Sequence, residues 1–129
     1  MDDISEPREL GLMIIPRRHP HPYDEGFVQI RQAALLEMAR DKTLGIEARR
    51  LFEYLLAVAD HENKVIADAK AMSDELDMAL SSVYRALKAL RDRHLIEKHP
   101  RLRRISRINP QVAWKGSAKR LREELGEAA

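Results

Sequence analysis

Apolar residues recur along this chain at spacings that predict five helices and three short strands. From Phe27 onward, Ile30, Ala34, Leu35 and Met38 fall on one face of a helix that ends near Asp41 and Lys42. The opening Phe27-Val28-Gln29-Ile30 fits a short strand ahead of that helix equally well. A clearer helix carries Ala48, Leu51, Phe52, Leu55, Leu56, Val58 and Ala59. Thr43 or Gly45 is the expected start, and Asn63 suits a left-handed C-cap at its end. Lys64-Val65-Ile66-Ala67 then reads as a short β run. Asp68 is an N-cap candidate for a helix over residues 69–76, in which Ala71, Met72 and Leu76 make the apolar contacts. Leu76-Asp77-Met78-Ala79 breaks the period, and a further helix from about Leu80 to Arg93 buries Val83, Ala86, Leu87 and Leu90.

Leu95-Ile96-Glu97-Lys98 is strand-like, His99-Pro100-Arg101 is a turn, and Leu102 to Ile108 is a second strand, bulged or twisted because its apolar residues do not alternate. Asn109-Pro110 stops it, and residues 117–125 form a short amphipathic tail helix with Ala118, Leu121 and Leu125 aligned. The order from Gly45 to Ile108 is therefore helix, strand, helix, tight turn, helix, strand, turn, strand. That order predicts a mainly α domain with a small β-wing, an α+β winged helix-turn-helix. Ala71, Leu76, Met78, Val83 and Leu87 occupy the positions where the two crossing helices must pack, and Ala71 is small enough to let them approach. The second helix then offers Leu80, Ser81, Ser82, Tyr84, Arg85 and Lys88 on its open face.

Charge sharpens this picture. The net charge of +2 says little, but its distribution is uneven. Residues 24–80 hold 7 Lys or Arg against 12 acids, whereas residues 81–114 hold 9 against 2. The basic stretch begins on the helix with the open face and runs through the following hairpin, so a polyanion is the expected partner. Serine hydroxyls, a tyrosine and an arginine suit phosphates and base edges of double-stranded DNA, with Arg85 able to fork onto a guanine. Lys98, Arg101, Arg103 and Arg104 make the hairpin a wing that lies along the backbone or in the minor groove.

A family resemblance rests on two segments. The stretch from Ala71 to Ile96, with Ser82-Val83-Tyr84-Arg85-Ala86-Leu87-Lys88-Ala89-Leu90 and then His94-Leu95-Ile96, resembles bacterial winged helices of the MarR, GntR and RepL types, a likeness shared by many regulators. Ile108-Asn109-Pro110-Gln111-Val112-Ala113-Trp114-Lys115-Gly116 is more specific and is similar to plasmid replication proteins of the RepL family, as is the Phe27-Val28-Gln29-Ile30 opening. The resemblance spans about residues 27–116. It implies a DNA-binding protein of a plasmid or mobile element, either a transcriptional regulator (a repressor) or a replication initiator. Two positions depart from the pattern: Ala79 stands where a capping Ser or Thr is usual, which shifts the expected helix start toward Ser81, and His94 stands where Gly or Asn is common.

The remaining features set bounds. Residues 1–24 contain the apolar patch Gly11 to Ile15 and three prolines within 16–22, and read as a partly ordered arm. Arg17 and Arg18 in it suit a minor-groove arm or a plain linker. Residues 25–116 form the expected DNA-binding domain and 117–129 the tail. There is no cysteine, so neither disulfides nor thiolate metal sites arise. His19 and His21 lack the further ligands a metal needs. Asp60-His61-Glu62 reads as helix-end solvation, and no phosphate-cradling loop or metalloprotease motif is present, so neither catalysis nor a cofactor is expected. No apolar run is long enough to cross a bilayer, and Met1-Asp2-Asp3-Ile4 is unlike a secretory signal, so a cytoplasmic location is the expectation. A homodimer is expected because one winged helix covers too little DNA for strong specificity, with residues 27–40 and 117–125 as the candidate contacts. The competing class is a protein-interaction winged helix. It would show an apolar surface where this chain has a basic one, and Leu80 is the one large aliphatic residue on that face.

Overall fold

The computed structural model of the chain describes residues 26–102 and 104–126. Five helices and five short strands follow in the order β1 (Gln29–Ile30), α1 (Gln32–Arg40), α2 (Ile46–Val58), β2 (Lys64–Ile66), α3 (Ala69–Leu76), α4 (Leu80–Asp92), β3 (Ile96–Lys98), β4 (Ile105–Ile108), β5 (Ala113–Trp114) and α5 (Ala118–Glu124). A 3-10 turn, His61–Asn63, joins α2 to β2. The architecture is the mainly helical winged helix that the periodicity predicts.

Local chemistry explains most boundaries. The Asp68 carboxylate accepts the backbone N–H groups of Lys70 and Ala71 and so starts α3. α3 stops at Asp77, which takes the left-handed conformation (φ 51°) that a short polar side chain tolerates. The amides of Asp77 and Met78 both turn back to the Ser73 carbonyl, and the Ser73 hydroxyl donates to the Met78 carbonyl. This three-residue turn sets α4 at an angle to α3. α4 starts at Leu80 after Ala79, not at Ser81, and has no side-chain cap. α1 ends where Arg49 donates to the carbonyls of Met38, Asp41 and Leu44, and the Asp41 carboxylate accepts from Thr43 and Leu44 to shape the loop into α2.

The core lies between α2, α3, α4 and the inner face of the three-stranded sheet β2-β4-β3. Leu51, Phe52, Leu55, Met72, Val83, Leu90, Ile96 and Ile108 are at most 2% exposed. Transferring side chains of that size from water contributes roughly 1.5–3 kcal/mol each, so this cluster dominates the favourable side of folding. Both ladders are antiparallel: Ile96 faces Ile108, Glu97 faces Arg107 and Lys98 faces Ser106, while Val65 also faces Ser106. Because strand side chains alternate, Ile96, Lys98, Ser106 and Ile108 share the face turned to the helices, and Glu97 and Arg107 share the other. β1 pairs with β5 in a separate two-stranded sheet.

Four packing expectations change. Ala71 is exposed, and Met72, with Ala69 partly buried, packs in its place, because the α3 stripe that meets the core is centred one residue further on. Phe27 and Leu35 are 44% and 47% exposed, since α1 leans on the core only through Ala34 and Met38. Val58, 45% exposed, ends α2 on its outward side, while Ala59 just beyond it stays in the core. The second wing strand begins at Ile105, because residues up to Leu102 belong to the wing loop.

Candidate nucleic-acid interface

α4 presents two faces of opposite character. Val83, Ala86, Leu87 and Leu90 are buried. Leu80, Ser81, Tyr84, Arg85 and Lys88 are exposed, and on a helix of 3.6 residues per turn they form one continuous outward stripe. Tyr84 is 59% exposed and Leu80 40%. Ala79 offers no capping oxygen, and among the described residues nothing accepts from the first-turn amides of Leu80 and Ser81.

Ser82 does not belong to that stripe. It is 6% exposed and faces inward with Ala86 and Ala89, against Gly45 and Ala48 at the start of α2. The row Ser82, Ala86, Ala89 is the small-residue row that lets α4 approach α2. Its hydroxyl accepts from Arg85 Nη2 at 3.1 Å, so Ser82 orients the arginine from behind rather than reaching outward itself. Lys88 is held by Asp92 at 2.8 Å, but both side chains are more than half exposed. An exposed pair of that kind, screened by solvent, is weak, so Lys88 is released by a stronger anion at little cost.

The wing is closed by its own residues. The His99 amide donates to the Ile105 carbonyl, the Ile105 amide donates to the Leu102 carbonyl, and His99 Nδ1 accepts the amides of Arg101 and Leu102 at 3.1 and 3.2 Å. Lys98, Arg101 and Arg104 are exposed around this loop. Lys98 shares its sheet face with the buried Ile96 and Ser106, which puts it on the side of the ribbon where α4 lies. Arg103, and Arg17 and Arg18 of the arm, lie outside the described residues.

The basic stretch therefore divides. Arg93 donates through Nε to Asp41 at 2.6 Å and through Nη2 to the Thr43 hydroxyl, tying the end of α4 to the α1–α2 loop. Arg107 lies on the far face of the sheet, between Glu97 at 3.1 Å and Glu124 of α5 at 2.6 Å. Arg120 extends this chain of charges to Glu62, Glu123 and Glu124. These carboxylates hold the Arg107 and Arg120 guanidinium groups above their ordinary pKa, and Arg120 in turn holds the Glu62 carboxyl below its own. Two of the arginines counted as DNA-facing charge are structural ties. Sequence spacing alone could not separate them, because their partners lie 52 and 17 residues away.

The Asn-Pro…Trp-Lys-Gly segment is also architectural. Asn109 Nδ2 donates to the His94 carbonyl, its Oδ1 accepts the Gln111 amide, and its backbone N–H donates to the Leu95 carbonyl. These bonds stitch the turn after β4 to the end of α4, where His94 accepts a positive φ of 58° in a position that glycine or asparagine usually fills. Trp114 is 2% exposed in β5, paired with Gln29 of β1, and its indole N–H donates to the Ser117 carbonyl at 3.0 Å. Gly116 lies flat on that indole: a Cβ there would come within 2.8 Å of it, at a φ of +156°. The tryptophan is thus a packing residue.

Asn63 is the residue the sequence reading misplaced. It has the expected left-handed backbone (φ 70°), but α2 ends five residues earlier, at Val58, and Asn63 caps no helix. It is 1% exposed. Its Nδ2 donates to the carbonyls of Ile108 and Ala113, each at 2.8 Å, and its Oδ1 accepts the Lys115 amide at 2.8 Å. One side chain joins the end of the wing to β5.

Residues 25–127 match the family of Firmicute plasmid replication proteins called RepL. The chain belongs to the RepL family. The Phe27 to Ile30 opening and the Ala113 to Gly116 end of the Asn-Pro…Trp-Lys-Gly segment, both similar to RepL proteins, meet in this chain as the β1–β5 sheet and its flanking glycine. No curated protein and no solved structure matches the chain. Among the described residues no helix is long and apolar enough to cross a membrane, and no group of three or more His, Asp or Glu could hold a metal ion.

Proposed function

We propose that this RepL protein binds double-stranded DNA sequence-specifically, in the service of plasmid replication, with α4 in the major groove and the β3–β4 wing on the adjacent backbone. The observation that carries the reading is the outward stripe Ser81, Tyr84, Arg85 and Lys88. It has the hydrogen-bonding chemistry of base and phosphate contacts, with Leu80 as its one large aliphatic residue, where a protein partner would call for a continuous apolar patch. Arg85, steadied by Ser82, is the base-reading candidate. Lys98, Arg101 and Arg104 are the backbone contacts, and Arg103, Arg17 and Arg18 join them by their sequence position. In this reading the protein acts by binding in the cytoplasm, without catalysis.

The family favours a replication role over promoter repression, because a plasmid replication protein finds its site at or beside an origin. We also propose that two copies bind together. Leu35 and Leu36, 47% and 49% exposed on α1, supply apolar surface for a two-fold contact. Selection from a randomised duplex pool at physiological salt tests the whole reading. Enrichment of a palindromic site that maps to the plasmid origin is the expected outcome. A retained pool without sequence enrichment would reduce the protein to an unspecific DNA coat, and no retention at all would return the winged helix to protein recognition.

A further inference from the structure

The described arginines that are part-buried are Arg49, Arg91, Arg93, Arg107 and Arg120. Four of them donate to carbonyl or carboxylate oxygens of the chain. Arg91 donates to none, and its Nε is fully shielded from water without a partner. A buried donor left unmade is costly, the more so on a charged group, so native chains seldom leave one without a use. The carboxylates of its neighbourhood in sequence are engaged: Asp92 by Lys88, Glu97 by Arg107. No acceptor for this guanidinium is found among the described residues, and its Nη1 and Nη2, unlike the shielded Nε, stand open to an acceptor from outside.

The position of Arg91 says which kind of acceptor. It follows Tyr84 by seven residues and Lys88 by three, so helical periodicity puts it at the edge of the outward stripe. It stands ten residues beyond Ser81, roughly 15 Å along the helix axis at 1.5 Å per residue. The major groove is about 12 Å wide. With the first turns of α4 at the base edges, the far end of the helix reaches the rim of the groove, where the acceptors are phosphodiester oxygens. A guanidinium presents parallel N–H groups that match two such oxygens as a fork, which an ammonium cannot do.

We infer that Arg91 is a further DNA-contact residue, clamping a backbone phosphate beside the site that α4 reads and thereby fixing how deep and at what register the helix sits. This rests on the reading of α4 as the recognition helix. Like other phosphate contacts it carries no sequence information, so its loss acts on all duplexes alike.

The test compares the full-length wild type with Arg91→Gln, Arg91→Met and Arg91→Lys, measured by fluorescence anisotropy on the selected duplex and on a scrambled one across a salt series. Arg91→Gln and Arg91→Met are expected to weaken both duplexes about tenfold and to lower the steepness of log K against log salt by about one. Arg91→Lys is expected to keep the slope and lose part of the affinity, because the charge remains and the fork does not. Thermal melting is expected to show no loss of stability in Arg91→Met, which keeps the packed stem and removes the unpaired donor. Three results would overturn the inference: unchanged affinity and slope while Arg85→Ala weakens binding, a large melting loss in both neutral variants, or a change in sedimentation without one in DNA affinity. Failure of the wild type to bind any duplex would instead remove the recognition-helix reading and this inference with it.

Discussion

The outer face of α4 and the corner where β5 meets Asn63 are both rich in polar groups, and they treat them in opposite ways. In the corner, every polar atom of the Asn63 amide group has a partner inside the chain: Nδ2 has two carbonyls and Oδ1 one amide. On α4, Ser81, Tyr84 and Lys88 have, among the described residues, no partner beyond a weak surface ion pair, and the amides of Leu80 and Ser81 have none. Satisfied polar groups in a dry site specify one arrangement of the backbone. Groups left open on a rigid helix are available for a ligand. On the proposed reading the family-specific residues are architecture, and the binding chemistry lies on a stretch that many winged helices share.

The largest effect that would sharpen this division belongs to the corner. Asn63→Ala removes three hydrogen bonds at a nearly fully buried site and leaves three backbone groups to be re-solvated, at about 1 kcal/mol each, so a loss of roughly 3 kcal/mol is expected in urea unfolding. Alanine also has to adopt the positive φ of this position, which costs about 1 kcal/mol that glycine does not incur. Asn63→Gly is therefore expected to be less damaging than Asn63→Ala although it removes the same bonds. Below its melting point the glycine variant should retain wild-type DNA affinity. A folded Asn63→Gly protein with abolished DNA binding would break the division between the two regions.

On the α4 side the expected effects fall on binding and not on folding. Arg85→Ala should cost about 1–3 kcal/mol on the selected duplex and much less on a scrambled one, because a base contact is lost. Arg101→Gln with Arg104→Gln should weaken both duplexes equally and flatten the salt dependence, because only backbone contacts are lost. Ser82→Ala, which leaves the helix packing in place and frees Arg85, should show a milder form of the Arg85 phenotype. Equal losses on both duplexes in all three variants would mean that α4 lies along the backbone instead of reading bases.

How much of this was readable without coordinates follows the same line. Asp68 as the cap of α3 and the β3–β4 hairpin were legible because each is decided by neighbours within a few residues, whereas the missing cap at Ala79 pointed to a start at Ser81 and α4 begins at Leu80 without one. Ser82 was partly legible: the row Ser82, Ala86, Ala89 is spaced for helix–helix contact, but a serine at the start of a recognition helix also suits DNA, and only the position of Ala48 in α2 decides between them. Arg93, Arg107 and Asn63 were illegible as structural residues, since their roles depend on Asp41, Glu124 and Ala113, brought to them by long-range folding. Charge counted along a sequence therefore overstates the charge a fold presents to its ligand.

The smallest expected effect probes one of those long-range ties through pH. Arg93 beside Asp41, together with the Thr43 hydroxyl and amide, holds the Asp41 carboxyl well below the usual carboxylate range. A carboxyl that is a stronger acid in the folded chain than in the unfolded one stabilises the fold while it stays ionised. Its contribution is complete above the unfolded pKa near 4 and disappears as pH falls through the lower folded value. The side chain is 26% exposed, so solvent screens the pair and the contribution is modest. Asp41→Asn should lower the melting temperature at pH 7 by more than at pH 2, with the two proteins converging as Asp41 takes up its proton. Glu62 and Asp92, also lowered by their cationic partners, keep some acid sensitivity in both proteins, so the difference between the curves isolates Asp41. DNA affinity at neutral pH should be unchanged by the same substitution, because Asp41 and Arg93 tie the back of α4 to the α1–α2 loop and leave its outer face untouched. A parallel loss of stability at all pH values would show that the hydrogen bonds to Thr43 and Leu44, which asparagine retains only in part, outweigh the charge of the pair.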